Sequence, residues 1–209
     1  SNDVFVKYPR NWPKFIEGSA SVDGWYPNPF WVLGKTGRYV DVSATLFPGL
    51  TPATRGIAVS DVDGDGLPEM VYANFWEESQ FIKNESPASG KFLGLHLLLP
   101  VATTGQAEPS PAEVTTHPGH PAWREGTPAI GAFVEIDGPG GVKQIRQVDG
   151  GNGHSGQRSP DIRFGLGPVA GDAVPVRIRW RDAAGAMHDS ALTLAPGYHT
   201  VVLNAGLTK

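Results

Sequence analysis

The sequence predicts an all-β protein, and three observations carry that reading. In 209 residues, 27 glycines and 19 prolines interrupt the chain every few positions. No segment keeps an apolar period of 3.6 residues for three turns, so helices lack the face they need. Between the interruptions lie short runs rich in β-branched and aromatic residues, as strands require. An apolar fraction of 40% is enough for a core, in one large domain or two small ones.

Composition removes several classes of partner. The formal net charge is only −4 and no basic run occurs, so neither nucleic acid nor an anionic membrane surface has an electrostatic footprint to bind. The longest apolar stretch, around Leu93 to Val101, is strand-sized and interrupted by His96, so no transmembrane segment is expected. Cysteine is absent, which rules out thiolate metal sites and disulfide staples.

In chain order, residues 1–29 form an aromatic and proline-rich segment, with Tyr8, Trp12, Phe15, Trp25 and Tyr26 set among Pro9, Pro13, Pro27 and Pro29. It cannot be a regular helix. Its aromatics either pack along the body of the chain or anchor a protein partner. From residue 30 a β pattern begins: Phe30 to Leu33, a turn over Gly34 to Gly37, then Arg38 to Val42, which reads as a hairpin. A connector over 48–52 follows, and a further short strand is expected around Gln80 to Lys83.

The densest chemistry is Asp61-Val62-Asp63-Gly64-Asp65-Gly66-Leu67-Pro68-Glu69. Aspartates at spacing two, a glycine at the sixth position and a carboxylate at the ninth can wrap a hard cation in oxygen ligands, which suits Ca²⁺. Asp61, Asp63 and Asp65 would offer side-chain oxygens, Leu67 its carbonyl and Glu69 the closing carboxylate, while Gly64 and Gly66 permit the tight backbone. An EF-hand would close with Glu at position twelve between helices, but Tyr72 stands there and both flanks read as strands. The competing reading is an acidic β-turn that binds nothing. Against it stands the mutual repulsion of four crowded carboxylates lacking a counter-ion.

The run GIAVSDVDGDGLPEMVYANFWEESQFIKNE, from Gly56, resembles the FG-GAP repeat, the blade unit of integrin-α-type β-propellers, and WVLGKTGRYVDVSATLF, from Trp31, looks like the end of a preceding repeat. The resemblance implies a propeller-like arrangement of calcium hairpins over residues 30–90. About one and a half repeats fit there, against roughly four blades for a closed propeller. The hairpins are therefore the remnant of a longer propeller, or strands of a blade completed by another protein, or a calcium hairpin standing on the next domain.

Residues 91–209 read as a small antiparallel β-sandwich with a polar, proline-rich insert over 102–128. Strands are expected at Lys91 to Pro100, Ala132 to Ile136, Val142 to Val148, Asp161 to Phe164, Val174 to Trp180, Ser190 to Leu194 and Tyr198 to Leu203, separated by Gly, Pro and Asp turns. In Val174 to Trp180, strict alternation with Pro175, Arg177 and Arg179 gives one buried and one wet face. KFLGLHLLLP, AIGAFVEI, VKQIRQVDGGNGHSGQRSPDIRFGLG and VPVRIRW are similar to the ASPIC/UnbV domain, as in cartilage acidic protein-like proteins, where it follows FG-GAP repeats.

No catalytic constellation stands out. Gly151 to Gly156 fits G-x-G-x-x-G letter for letter but lacks the strand before and the helix after that a dinucleotide needs. Ser155 sits in an incomplete nucleophile elbow without an α/β frame. Two readings of this loop remain: a structural edge held by Gln157 and Arg163, as the resemblance suggests, or a shallow binding surface of His154, Gln157 and Arg158. His117 and His120 have no third ligand nearby and read as solvated.

These features lead to an expected function: a non-enzymatic, calcium-binding accessory, adhesion or scaffold subunit of a larger assembly, docking through residues 1–50. Calcium loops of this kind work where free Ca²⁺ is plentiful, so an extracellular or periplasmic location with a removed signal peptide is expected. The alternatives are a carbohydrate-binding module that stacks glycan rings on exposed tryptophans, and an accessory protein or enzyme of a biosynthetic pathway.

Overall fold

The computed structural model describes residues 28–48, 54–74, 78–87, 90–100, 113–117, 126–151, 157–168, 171–182 and 184–204. Within them the chain is all-β, its helical content confined to one short α-turn and one 3-10 turn, and no sheet closes into a barrel. Among the described residues no helix is long and apolar enough to cross a membrane. Residues 1–27, the glycine-dense stretch 152–156 and His120 lie outside the described residues. The chain divides into two compact units, Ser1–Ile57 with Val71–Ile82, and Ala58–Met70 with Lys83–Lys209.

In the first unit, β1 (Trp31–Leu33) and β2 (Tyr39–Asp41) form the expected hairpin, antiparallel with Val32 opposite Val40. The turn is closed by the Gly34 N–H on the Arg38 carbonyl at 2.8 Å. An unexpected turn, α1 (Ser43–Leu46), follows because the Asp41 carboxylate takes both the N–H and the hydroxyl of Ser43. The unit also holds the first part of β3 (Thr54–Ser60), the last part of β4 (Glu69–Asn74), and β5 (Gln80–Ile82). The Thr54 hydroxyl joins them, accepting from Asn28 at 2.7 Å and donating to Asn74 at 2.8 Å. Phe47 meets Phe30 and Tyr72 edge to face, with centroids 5.8 and 6.4 Å away.

The second unit carries the two sheets that make the main core. After β6 (Lys91–Leu99) come β7 (Glu113–His117), β8 (Thr127–Pro128), β9 (Phe133–Asp137), β10 (Lys143–Gln147), β11 (Gln157–Arg158), β12 (Ile162–Gly167), β13 (Val174–Arg181), β14 (Met187–Leu194) and β15 (Gly197–Val202). One sheet runs β10-β9-β13-β14; the other runs β12-β6-β15-β7, with β8 also on β6. Alternate residues of both sheets meet in one cluster: Leu93, Leu95 and Leu97, Ile162, Phe164 and Leu166, and Val201 from the second sheet, Val134, Ile136, Val176, Ile178 and Trp180 from the first. The alternation in β13 is as the sequence predicts, with Val174, Val176, Ile178 and Trp180 buried and the residues between them exposed.

The second of these sheets holds a parallel pair and a strand from the polar insert. β6 and β15 pair in parallel, Tyr198 opposite Gly94 and Thr200 opposite His96. Most of the unit lies between them in sequence, long enough to carry the chain back to the same end of the sheet. Part of the polar insert is also ordered as β7, whose backbone pairs with β15 from Glu113 to His117.

Candidate metal centre

The acidic loop sits between β3 and β4, as its β-rich flanks predict. Each carboxylate first shapes the loop itself. Asp61 Oδ1 accepts from the Gly64 N–H and Oδ2 from the Gly66 N–H, both at 2.7 Å. Asp65 Oδ1 takes the Leu67 N–H at 2.7 Å, and Asp63 Oδ1 the Asp65 N–H at 3.4 Å. These bonds wind the chain so that one oxygen each from Asp61, Asp63 and Asp65 lies within 4.8 Å of the others. Gly64 and Gly66 take φ of 78° and 89°, which a side chain would resist. At Gly66 there is a second reason, since a Cβ would stand 2.3 Å from the Phe92 ring.

The fourth carboxylate behaves differently. Glu69 is 2% exposed, and its Oε2 accepts from the Val62 N–H at 2.8 Å, turning the group toward the loop. Its Oε1 is buried with no hydrogen-bond partner among the described residues. A buried carboxylate oxygen without a donor is costly, and a cation is one way to satisfy it. Glu69 is not among the three carboxylates that converge most closely. The Leu67 residue lies on the loop beside them, its N–H committed to Asp65.

The protein supplies positive charge here, which tempers the expected repulsion. Lys83 Nζ stands 3.3 Å from Asp63 Oδ2. That bond holds the Asp63 carboxyl below the usual carboxylate range and raises the Lys83 ammonium. Arg163 Nη1 lies 4.0 Å from Asp61 Oδ2, and Asn84 Nδ2 donates to the Pro68 carbonyl at 3.2 Å.

What fixes the loop within its unit is a bond that sequence reasoning missed. The Tyr198 hydroxyl donates to Asp61 Oδ2 at 2.5 Å and accepts from Arg163 Nη1 at 3.1 Å. Burial, and then the carboxylate it faces, raise the Tyr198 pKa. The ring fits because its neighbour across the parallel ladder is Gly94, where a Cβ would come within 2.3 Å of it. Phe92 packs edge to face on the same ring at 5.1 Å. Arg163, one of the two residues the resemblance implies at this edge, reaches the tyrosine with its side chain. Gln157 belongs to β11, whose backbone pairs in parallel with Ala58 and Val59 just before the acidic loop.

Alongside lies a second polar group. His96 Nδ1–H donates to Asp161 Oδ1 at 2.5 Å, and the Ser159 hydroxyl to Oδ2 at 2.7 Å. A carboxylate only accepts, so it sets the histidine tautomer. The core strands β12, β13 and β15 and the loop partners Arg163 and Tyr198 all fall within residues 123–208, which match the family model described as ASPIC and UnbV.

An ASPIC/UnbV domain is found at residues 123–208. No curated protein matches the chain. The ASPIC/UnbV match begins downstream of β6, although β6 lies between β12 and β15 in their sheet. Arg163 and Tyr198 belong to the ASPIC/UnbV domain, and the acidic loop they hold lies outside the match.

Proposed function

We propose that this protein is a non-enzymatic calcium-binding subunit of a larger assembly, acting as an accessory, adhesion or scaffold component. The observation that carries the reading is the convergence of Asp61, Asp63 and Asp65 beside the buried Glu69, whose Oε1 lacks a donor. This is a hard-oxygen donor set, and Ca²⁺ prefers such sets. Asp61, Asp63, Asp65 and Glu69 would hold the ion, with the Leu67 carbonyl as a further oxygen. Bound Ca²⁺ would neutralise the crowded carboxylates and stiffen the hairpin.

The placement of the loop between two strands supports the FG-GAP-like reading of residues 30–90. Leu33, Tyr39, Val40 and Leu46 each expose about half their surface in the first unit (53%, 48%, 52% and 51%), which supports a protein partner docking through residues 1–50. Free Ca²⁺ is abundant in an extracellular or periplasmic setting, and a calcium loop of this kind fits such a setting.

Isothermal titration of metal-stripped protein with Ca²⁺ tests the reading. Binding heat with a stoichiometry of about one, and a melting temperature that falls on chelation, are expected. No heat and no shift would overturn it.

A further inference from the structure

We infer that Tyr198 is a positioning residue of the acidic loop: its hydroxyl occupies Asp61 Oδ2, leaves Oδ1 as the oxygen offered to a cation, and couples cation binding to the β6–β15 sheet. The inference rests on the calcium reading above and deepens it.

Lone-pair counting carries the first step. A carboxylate oxygen accepts two hydrogen bonds in comfort. Asp61 Oδ2 already has two donors, the Gly66 N–H at 2.7 Å and the Tyr198 hydroxyl at 2.5 Å, with Arg163 a further 4.0 Å neighbour. Oδ1 has one donor in the Gly64 N–H. The side chain of Asp61 is fully buried, so water cannot rearrange this allocation. Asp61 would therefore bind a cation through one oxygen, its plane set by the tyrosine.

The second step concerns what Tyr198 is attached to. It lies on β15, pressed against Gly94 of β6 and against Phe92, which also receives Gly66 from the loop. Any cation that fixes Asp61 thus fixes groups on two core strands. By linkage, whatever the sheet contributes to holding Asp61 in place must reappear as sheet stability when the cation binds. Glu69, buried beside the loop with an unpartnered oxygen, supplies an independent sign that the loop awaits a ligand.

The test titrates the full chain, metal-stripped, with CaCl₂, comparing wild type with Tyr198→Phe, and follows amide exchange over residues 197–202 of wild type with and without Ca²⁺. Residues that orient a metal ligand typically cost about 10- to 100-fold in affinity when lost. A drop of that size in Tyr198→Phe, with slowed wild-type exchange in β15 on Ca²⁺ addition, is the expected result. Wild type that binds Ca²⁺ while Tyr198→Phe binds within about twofold of it overturns the coupling and leaves the calcium reading intact. Absence of wild-type binding overturns both. Should Tyr198→Phe fail to fold, the wild-type exchange decides alone: unchanged β15 protection in a protein that binds Ca²⁺ overturns the proposal.

Discussion

Gly94 lies directly opposite Tyr198 in the parallel β6–β15 ladder, and the missing side chain of one makes the seat for the ring of the other. The ring is 1% exposed and wedged also by Phe92, so it has no open direction in which to retreat. Gly94→Ala is expected to destabilise the second unit by about 1 to 3 kcal/mol, the usual cost of overpacking a filled site. Denaturant midpoints at constant m-value would measure it; a neutral outcome would mean that the ring has room to move.

Lys83 would compete with a cation for the acidic loop. Its ammonium neutralises Asp63 at 3.3 Å from a position more than half exposed, so the pair contributes little to stability. Its effect on a divalent ion is larger, because the repulsion involves a double charge at short range. Lys83→Ala should raise Ca²⁺ affinity roughly two- to tenfold, most clearly at low ionic strength. Titration calorimetry at two salt concentrations checks both the sign and the screening.

Glu69→Gln separates the metal-free protein from the metal-bound one. In the metal-free state the substitution removes a buried charge with an unpartnered oxygen, so the melting temperature should hold or rise. With Ca²⁺ present the variant should lack the stabilisation expected of wild type, since a neutral amide is a poor closing ligand. Thermal scans should place the variant level with or above wild type in chelator and below it in Ca²⁺.

Asp161 predicts an acid limb. Burial acts to raise its carboxyl, but the bonds from His96 and Ser159, with Arg163 near, outweigh it and leave the pKa below the ordinary 3.8. With a depressed folded pKa, its stabilisation is complete above the unfolded value and is lost as pH falls through the folded one. Asp161→Asn should therefore be less stable than wild type near neutrality, by about 1 to 3 kcal/mol, and the gap should close below the ordinary carboxylate range. Urea midpoints measured from pH 7 downward would reveal it.

Much of this was legible in the sequence because strands write themselves as local alternation. Val174 to Trp180 shows its buried and wet faces in plain order, and the acidic loop announces itself by spacing alone. β14 begins at Met187, earlier than expected, because His188 and Asp189 look like turn residues. Their roles are tertiary: His188 stacks on Trp180 at 4.6 Å and donates to Asp182 at 2.8 Å. β7 was hidden because its run, Glu-Val-Thr-Thr-His, carries little apolar signal amid a polar insert. Its backbone pairing with β15 is specified by the partner strand.

The site was legible only in part, for a related reason. Spacing identifies Asp61, Asp63, Asp65 and Glu69 as a set, but the tyrosine that holds the first of them is 137 residues away. Nothing local distinguishes Tyr198 from any other strand tyrosine. A glycine inside the apolar run of β6 was the available hint, since glycine in a strand interior often marks a close approach.

The pairing of β6 with β15 also sets a schedule for the newborn chain. Because β6 bonds to β15, with β7 to β14 lying between them in the chain, its sheet cannot close until β15 has left the ribosome, and long-range closure of this kind is slow. Phe92, Leu93, Leu95 and Leu97 must wait with their apolar sides unprotected, a period in which holding chaperones would find them. Asp61 waits with them, its tyrosine not yet made.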